Sequence, residues 1–263
     1  MVNGTKGLLS YLFVPITKLR VKALPFPLSQ NATMSSHLMS PSPNFDDRGG
    51  ASIDLLLLHY TGMQTAQEAL ARLSDPAARV SAHYFIDLDG TVSQLVHEDK
   101  RAWHAGAAFW AGTRNINARS IGIELVNPGH EWGYTDFPEA QIDAVLALGL
   151  EIVGRHGITR TNVLAHSDVA PTRKEDPGER FPWAQLAAHG LGWFDTAPAS
   201  AAPGANLHNE LVQIGYDMTS ADDAVIAFQR HYCPHLIGTV DEGRPSAETL
   251  GTALALKAEV CTS

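Results

Sequence analysis

The chain has 263 residues, 44% apolar and 18% charged, enough to bury a sizeable core in one large domain or two smaller ones. That balance excludes a disordered chain. The net charge of −9 lacks the basic footprint that nucleic acid or anionic lipid demands, and leaves neutral or sugar-peptide substrates open.

In chain order, residues 1–50 read as an irregular N-terminal segment. A short apolar patch over residues 8–16 is followed by Lys18, Arg20 and Lys22, whereas a secretory signal carries its positive charge ahead of the apolar core. This stretch reads as a poor signal or as sequence upstream of a start at Met34. Nothing approaches the length of a transmembrane helix. Residues 35–50, rich in Ser, Pro and Asp from Ser40 to Arg48, read as an irregular lead-in.

Residues 53–58 are apolar apart from Asp54, the pattern of a strand buried on both faces. Thr65 and Glu68 form a capping box, and Ala66, Ala69, Leu70 and Leu73 follow at helical spacing until Pro76. Residues 84–86 and 92–95 flank Asp89-Gly90, a hairpin signal. Residues 120–126 read as a strand ended by Asn127-Pro128-Gly129. A helix opened by Pro138 places Ile142, Val145, Leu146, Gly149, Ile152 and Val153 on one face and closes near Gly157. A strand returns at residues 162–165. Strands alternating with helices predict an α/β catalytic domain over residues 51–195, with a mixed central sheet flanked by helices.

Two strand ends carry the chemistry. His59 closes the first apolar run and His166 the last, and the loop after His166 supplies Asp168, Lys174 and Asp176. Two histidines and one carboxylate are the usual protein share of a catalytic zinc site. Either Asp168 or Asp176 has the chemistry to be that carboxylate. Glu124 offers a base, and Lys174 a cation for a developing oxyanion. Trp103 and His104 also read as a simple packed aromatic pair. His83, just before a strand, reads as structural, and the remaining histidines stand alone.

His59 in Leu57-Leu58-His59-Tyr60-Thr61, Trp103-His104-Ala105-Gly106, Ser120-Ile121-Gly122-Ile123-Glu124, and His166 followed by Arg173-Lys174-Glu175-Asp176-Pro177-Gly178 occur in one order. That order resembles the zinc N-acetylmuramoyl-L-alanine amidases of the amidase-2 group, in its AmpD and AmiD branches, over roughly residues 50–195. The continuation Phe181-Pro182-Trp183 is closer to the AmiD branch. The resemblance implies one Zn²⁺ per chain on His59, His166 and Asp176, Glu124 and Lys174 as catalytic groups, and Trp103 and His104 as substrate contacts. It implies cleavage of the bond between N-acetylmuramic acid and L-alanine, with peptidoglycan or muropeptides as the partner; it implies no protein partner. In a related phage branch a tyrosine near the His83 motif assists; Ala82 stands there, which moves weight onto Glu124. The alternative is a recognition module on the same fold that binds without cutting; such relatives typically lack a zinc ligand, and here none is missing.

After Gly192 the composition shifts. Residues 196–204, rich in Ala, Pro and Ser, read as a flexible linker. Residues 205–260 predict a small all-α domain of three helices, similar to the three-helix peptidoglycan-binding domain, although Cys233-Pro234 departs from its pattern. The expectation is a wall anchor moving independently of the catalytic domain. Such an anchor implies the cell envelope or periplasm; a chain without a clear export signal fits the cytoplasm. Cys233 and Cys261, the only cysteines, make no disulfide framework and could pair or stay free.

Overall fold

The structure, a computed structural model, describes residues 38–195 and 204–262. The apolar patch at 8–16, Met34 and most of the Ala/Pro/Ser segment lie outside the described residues. The strands are β1 (Leu38–Met39), β2 (Phe45–Asp47), β3 (Leu55–Tyr60), β4 (Tyr84–Ile86), β5 (Val92–Gln94), β6 (Lys100–Ala102), β7 (Ser120–Leu125) and β8 (Val163–Ala165). The helices are α1 (Ala66–Ser74), α2 (Ile116–Arg119), α3 (Gly129–Trp132), α4 (Glu139–His156), α5 (His166–Val169), α6 (Trp183–Ala188), α7 (Leu207–Ile214), α8 (Ala221–Tyr232) and α9 (Ala247–Val260).

Local chemistry sets several of these elements as expected. The Thr65 hydroxyl accepts from the Glu68 amide and the Glu68 carboxylate accepts from the Thr65 amide, which starts α1. Gly157, at φ 68°, closes α4. Asp89-Gly90 turns the β4–β5 hairpin with Gly90 at φ 83°.

The main sheet runs β1-β5-β4-β7-β3-β8, with β4, β7, β3 and β8 parallel and β5 antiparallel to β4. It is therefore the mixed sheet of an α/β fold. Period-two alternation divides its faces. Leu56, Leu58, Ile121, Ile123, Leu125 and Val163 pack with Ile142, Val145 and Ile152 of α4. On the other face Leu55, Leu57 and Leu164 join a core shared with Leu207, Leu211 and Phe228 of the C-terminal helices. His59 and Glu124 have the parity of this second face.

Two expectations give way here. Residues 38–47 are not an irregular lead-in: β1 adds to the sheet edge beside β5, and β2 pairs antiparallel with β6. Ion pairs from Asp46 to Arg101 and from Asp47 to Lys100 fasten that ribbon. These partners lie more than fifty residues away, so the local composition carried no trace of them. The C-terminal segment does fold as three helices, but it packs into a core shared with the sheet instead of standing apart from it. The described residues on both sides of the 196–203 gap fall in one compact unit. The Leu55 and Leu57 side chains need an apolar cover, and α7–α9 provide it. Cys233 and Cys261 are both free thiols, the first buried.

Candidate active site

Parallel strands bring their carboxyl ends to one edge, where α/β proteins place their ligands. His59 is the last residue but one of β3, Glu124 stands opposite it in register on β7, and His166 follows β8. Asp176 is held to this edge because the Ser167 amide donates to its carbonyl, 3.1 Å. Gly178, at φ 87°, completes the turn after it. A Cβ there would lie 2.4 Å from the Tyr134 hydroxyl, which donates to the Pro177 carbonyl.

His59 Nδ1, His166 Nδ1 and Asp176 Oδ2 form a triangle with sides of 2.9, 3.0 and 3.0 Å, all three residues buried. Ligands of a tetrahedral zinc ion with bonds of ~2.0–2.1 Å stand about 3.3 Å apart, so the triangle has the right size. Hydrogen bonds behind the rings show which nitrogen carries each proton. The Ser120 hydroxyl donates to the Ile116 carbonyl (2.7 Å) and therefore accepts from His104 Nε2 (3.1 Å). His104 Nδ1 is thereby left to accept from His59 Nε2 (3.0 Å), which frees His59 Nδ1 as a lone pair. His166 Nε2 donates to the Ala105 carbonyl (3.0 Å), freeing its Nδ1 as well. Two nitrogen lone pairs and a carboxylate oxygen converge with no proton to share, and a cation satisfies that arrangement.

The electrostatics agree. Burial and the neighbouring His166 hold the His59 ring down to about 4, so it is neutral at pH 7. Neutral imidazole and ionised carboxylate are the states that bind metal.

A cavity of about 170 Å³ opens onto this triangle, lined among others by Trp103, His104, Glu124 and Lys174. Burial, with the Asp176 charge adding and Lys174 opposing, pushes the Glu124 carboxyl well above its usual range. Its Oε2 is buried without a hydrogen-bond partner among the described residues. A carboxyl so placed is suited to taking up a proton. A wider groove of about 580 Å³ continues past Tyr60 and His130 and reaches Arg230 of α8.

Asp168, the rival ligand, is not in the triangle. Fully buried, it accepts from the Ala165 amide, the Tyr216 hydroxyl and His231 Nδ1. His104 reaches the cavity wall, but both ring nitrogens are committed to His59 and Ser120, so the substrate contact expected of it becomes a positioning one. The glycine of Ser120-Ile121-Gly122 makes room for it: a Cβ at Gly122 would lie 2.5 Å from the His104 ring. Trp103 stands half-buried beside it.

His83 is structural, as expected. Its Nδ1 accepts from the Gly122 amide, and Nε2 faces the Lys100 carbonyl. Sequence reasoning missed Arg48, whose guanidinium lies 2.8 Å from His83 Nε2 and donates to the Ala118 and Glu98 carbonyls. Burial and the Arg48 charge hold the His83 ring down to about 3. An unfolded chain protonates this histidine near ~6.5, which the folded protein resists. Stability is therefore expected to fall as pH drops from about 6.5 toward 3, by about 1.4 kcal/mol per pH unit. Urea unfolding of the metal-free protein at pH 7 and pH 5 checks it: His83→Gln should lose about 2 kcal/mol less over that interval than the parent chain. Equal losses would mean that His83 titrates freely.

Two histidines and a carboxylate that could hold a metal ion, at the ends of parallel strands and with a second carboxylate beside them, fit the class of hydrolases on a mixed α/β sheet. The comparisons agree with that class. Residues 49–179 match Amidase_2, the N-acetylmuramoyl-L-alanine amidase family. The N-acetylmuramoyl-L-alanine amidase AmiD of Escherichia coli is 37% identical over 233 residues, covering 78% of this chain and 82% of the relative. A structure of E. coli AmiD in complex with anhydro-N-acetylmuramic acid-L-Ala-D-γ-Glu-L-Lys superposes with a TM-score of 0.70 at 36% identity, covering 80% of this chain and 91% of that one. AmpDh3 of Pseudomonas aeruginosa, in complex with an anhydromuramic pentapeptide, gives a TM-score of 0.69 at 30% identity over 83% of this chain and 95% of that one. The chain belongs to the N-acetylmuramoyl-L-alanine amidase family, and it is an enzyme of that kind.

Proposed function

We propose that this chain hydrolyses the amide between N-acetylmuramic acid and L-alanine in peptidoglycan or its muropeptides, using one zinc ion per chain. The carrying observation is the triangle of His59 Nδ1, His166 Nδ1 and Asp176 Oδ2, with Glu124 opposite His59 in register. The substrate bound to AmiD and the anhydromuramic pentapeptide bound to AmpDh3 support the substrate class. When bound, zinc supplies a nucleophilic water at neutral pH and polarises the scissile carbonyl.

The chain's own residues do the rest. Glu124 takes the proton of the attacking water and hands it to the departing nitrogen. Lys174 faces the oxyanion as it forms. His104 and Ser120 fix the tautomer of His59, and the Ala105 carbonyl fixes that of His166. Trp103 borders the substrate on the cavity wall.

Among the described residues no helix is long and apolar enough to cross a membrane. A role in the cell envelope is the reading favoured by wall-derived substrate, and the C-terminal helices are proposed to carry wall affinity.

Metal content tests the centre. The protein should hold about one equivalent of zinc by emission spectrometry, chelation should abolish hydrolysis, and added zinc should restore it. Asp176→Ala should fail to retain the metal. Full activity in metal-free protein would refute the assignment, and metal binding without muropeptide cleavage would instead mark a recognition module.

A further inference from the structure

The loop from His166 to Glu179 carries two of the three converging ligands, and the C-terminal helices grip it at three points. Asp168, two residues beyond His166 in α5, is fully buried. Its Oδ1 accepts from the Tyr216 hydroxyl at 2.5 Å, and its Oδ2 accepts from His231 Nδ1 at 2.6 Å and from the Ala165 amide at 2.8 Å. The His231 ring is itself held, stacked between Trp183 and Tyr232 with centroids 3.7 Å from each. Tyr216 meets Trp110 edge-on at 5.0 Å. Farther along the loop, Arg230 pairs with Glu175 at 3.4 Å and with Glu179 at 3.5 Å, on either side of Asp176.

We propose that α8 and the residues around Tyr216 are a clamp on the metal site, with Tyr216 and His231 as positioning residues that act through Asp168 on His166. The physical argument is one of satisfied valences. A buried carboxylate must be hydrogen-bonded, and here the donors besides the Ala165 amide are Tyr216, in the turn before α8, and His231 of α8. The Ala165 amide belongs to the residue before His166, so the carboxylate fixes the backbone from which the His166 ring projects. Without Tyr216 or His231, Asp168 keeps a burial penalty and turns toward other donors. The turn then shifts, and His166 Nδ1 moves from its place in a triangle only 3 Å on a side. Partners that orient metal ligands typically change affinity 10–100-fold when removed.

The proposal rests on reading His59, His166 and Asp176 as a metal centre, and one experiment separates the two. The zinc Kd is measured on the full chain by competition with a chromophoric chelator, alongside the thermal midpoint of the metal-free protein, for the parent, Tyr216→Phe, His231→Gln and Leu211→Ala. Leu211 is buried in the core of the same helices but has no hydrogen bond to Asp168. Tyr216→Phe and His231→Gln should weaken zinc binding about 10–100-fold, lowering kcat at limiting zinc with KM nearly unchanged. Leu211→Ala should lower the midpoint and leave Kd unchanged. Parent-like Kd values in both polar variants would overturn the clamp, as would an equal loss of affinity in Leu211→Ala. No zinc uptake by the parent chain would instead overturn the metal reading.

Discussion

Replacing Glu124 with glutamine is expected to leave zinc bound and to lower turnover by ~10²–10⁴-fold, the usual cost of losing a general base. Glutamine keeps the shape and the position, because both are set by the backbone: residue 124 pairs with His59 across β3 and β7 whatever its side chain. What it loses is the capacity to accept a proton. The raised affinity of Glu124 for a proton, caused by burial and the Asp176 charge, belongs to a group that must take one up and release it. Zinc content and release of soluble muropeptides, measured on the same preparation, check both halves. Turnover near that of the parent would remove Glu124 from the role. Lys174→Ala should also keep the metal, with turnover down ~10²–10³-fold if it stabilises the oxyanion.

Truncation after about Ala199 is expected to abolish hydrolysis of small soluble muramyl peptides as well as of intact sacculi. A tethered anchor would behave differently: its loss would spare the soluble substrate and slow only the insoluble one, through effective concentration. The structure favours the first outcome, since Leu55, Leu57, Leu164, Trp110 and Val169 share one core with Leu207, Leu211, Ile214 and Phe228. Uncovering a large apolar side chain costs about 1.5–3 kcal/mol, so exposing several rivals the 5–15 kcal/mol by which a domain is stable. Asp168 would lose two of its three hydrogen-bond donors as well, keeping only the Ala165 amide. Assay of both substrates, with near-UV circular dichroism and dye binding on the truncated protein, distinguishes the outcomes. Full activity on the soluble peptide would mean that residues 38–195 fold without the helices.

Much of the fold was legible because its causes are local. Thr65 and Glu68 announce the start of α1 within four residues, Asp89-Gly90 announces the hairpin, and four consecutive leucines announce a strand covered on both faces. The ligand types were legible too, since His59 and His166 end apolar runs whose strands pair with each other, and the carboxylates lie on the segment that follows His166.

What the sequence alone determined is therefore the set of elements and the chemical inventory at one edge of the sheet. Tertiary structure decided how that inventory is used. Asp168 and Asp176, eight residues apart, both have the chemistry of a ligand, and in the sequence only the family resemblance chose between them. They part because Tyr216 and His231, 48 and 63 residues away, occupy Asp168 and leave Asp176 facing the two imidazoles. His104 turns from a substrate contact into a support for His59 only because Gly122 leaves it room and Ser120 holds its far nitrogen. His231, one unremarked histidine among twelve, becomes a partner of the metal loop when α8 packs on α5. Hydrogen-bond partners across such distances leave no periodicity or motif in the chain, because each is selected by a contact that exists only once the core has closed.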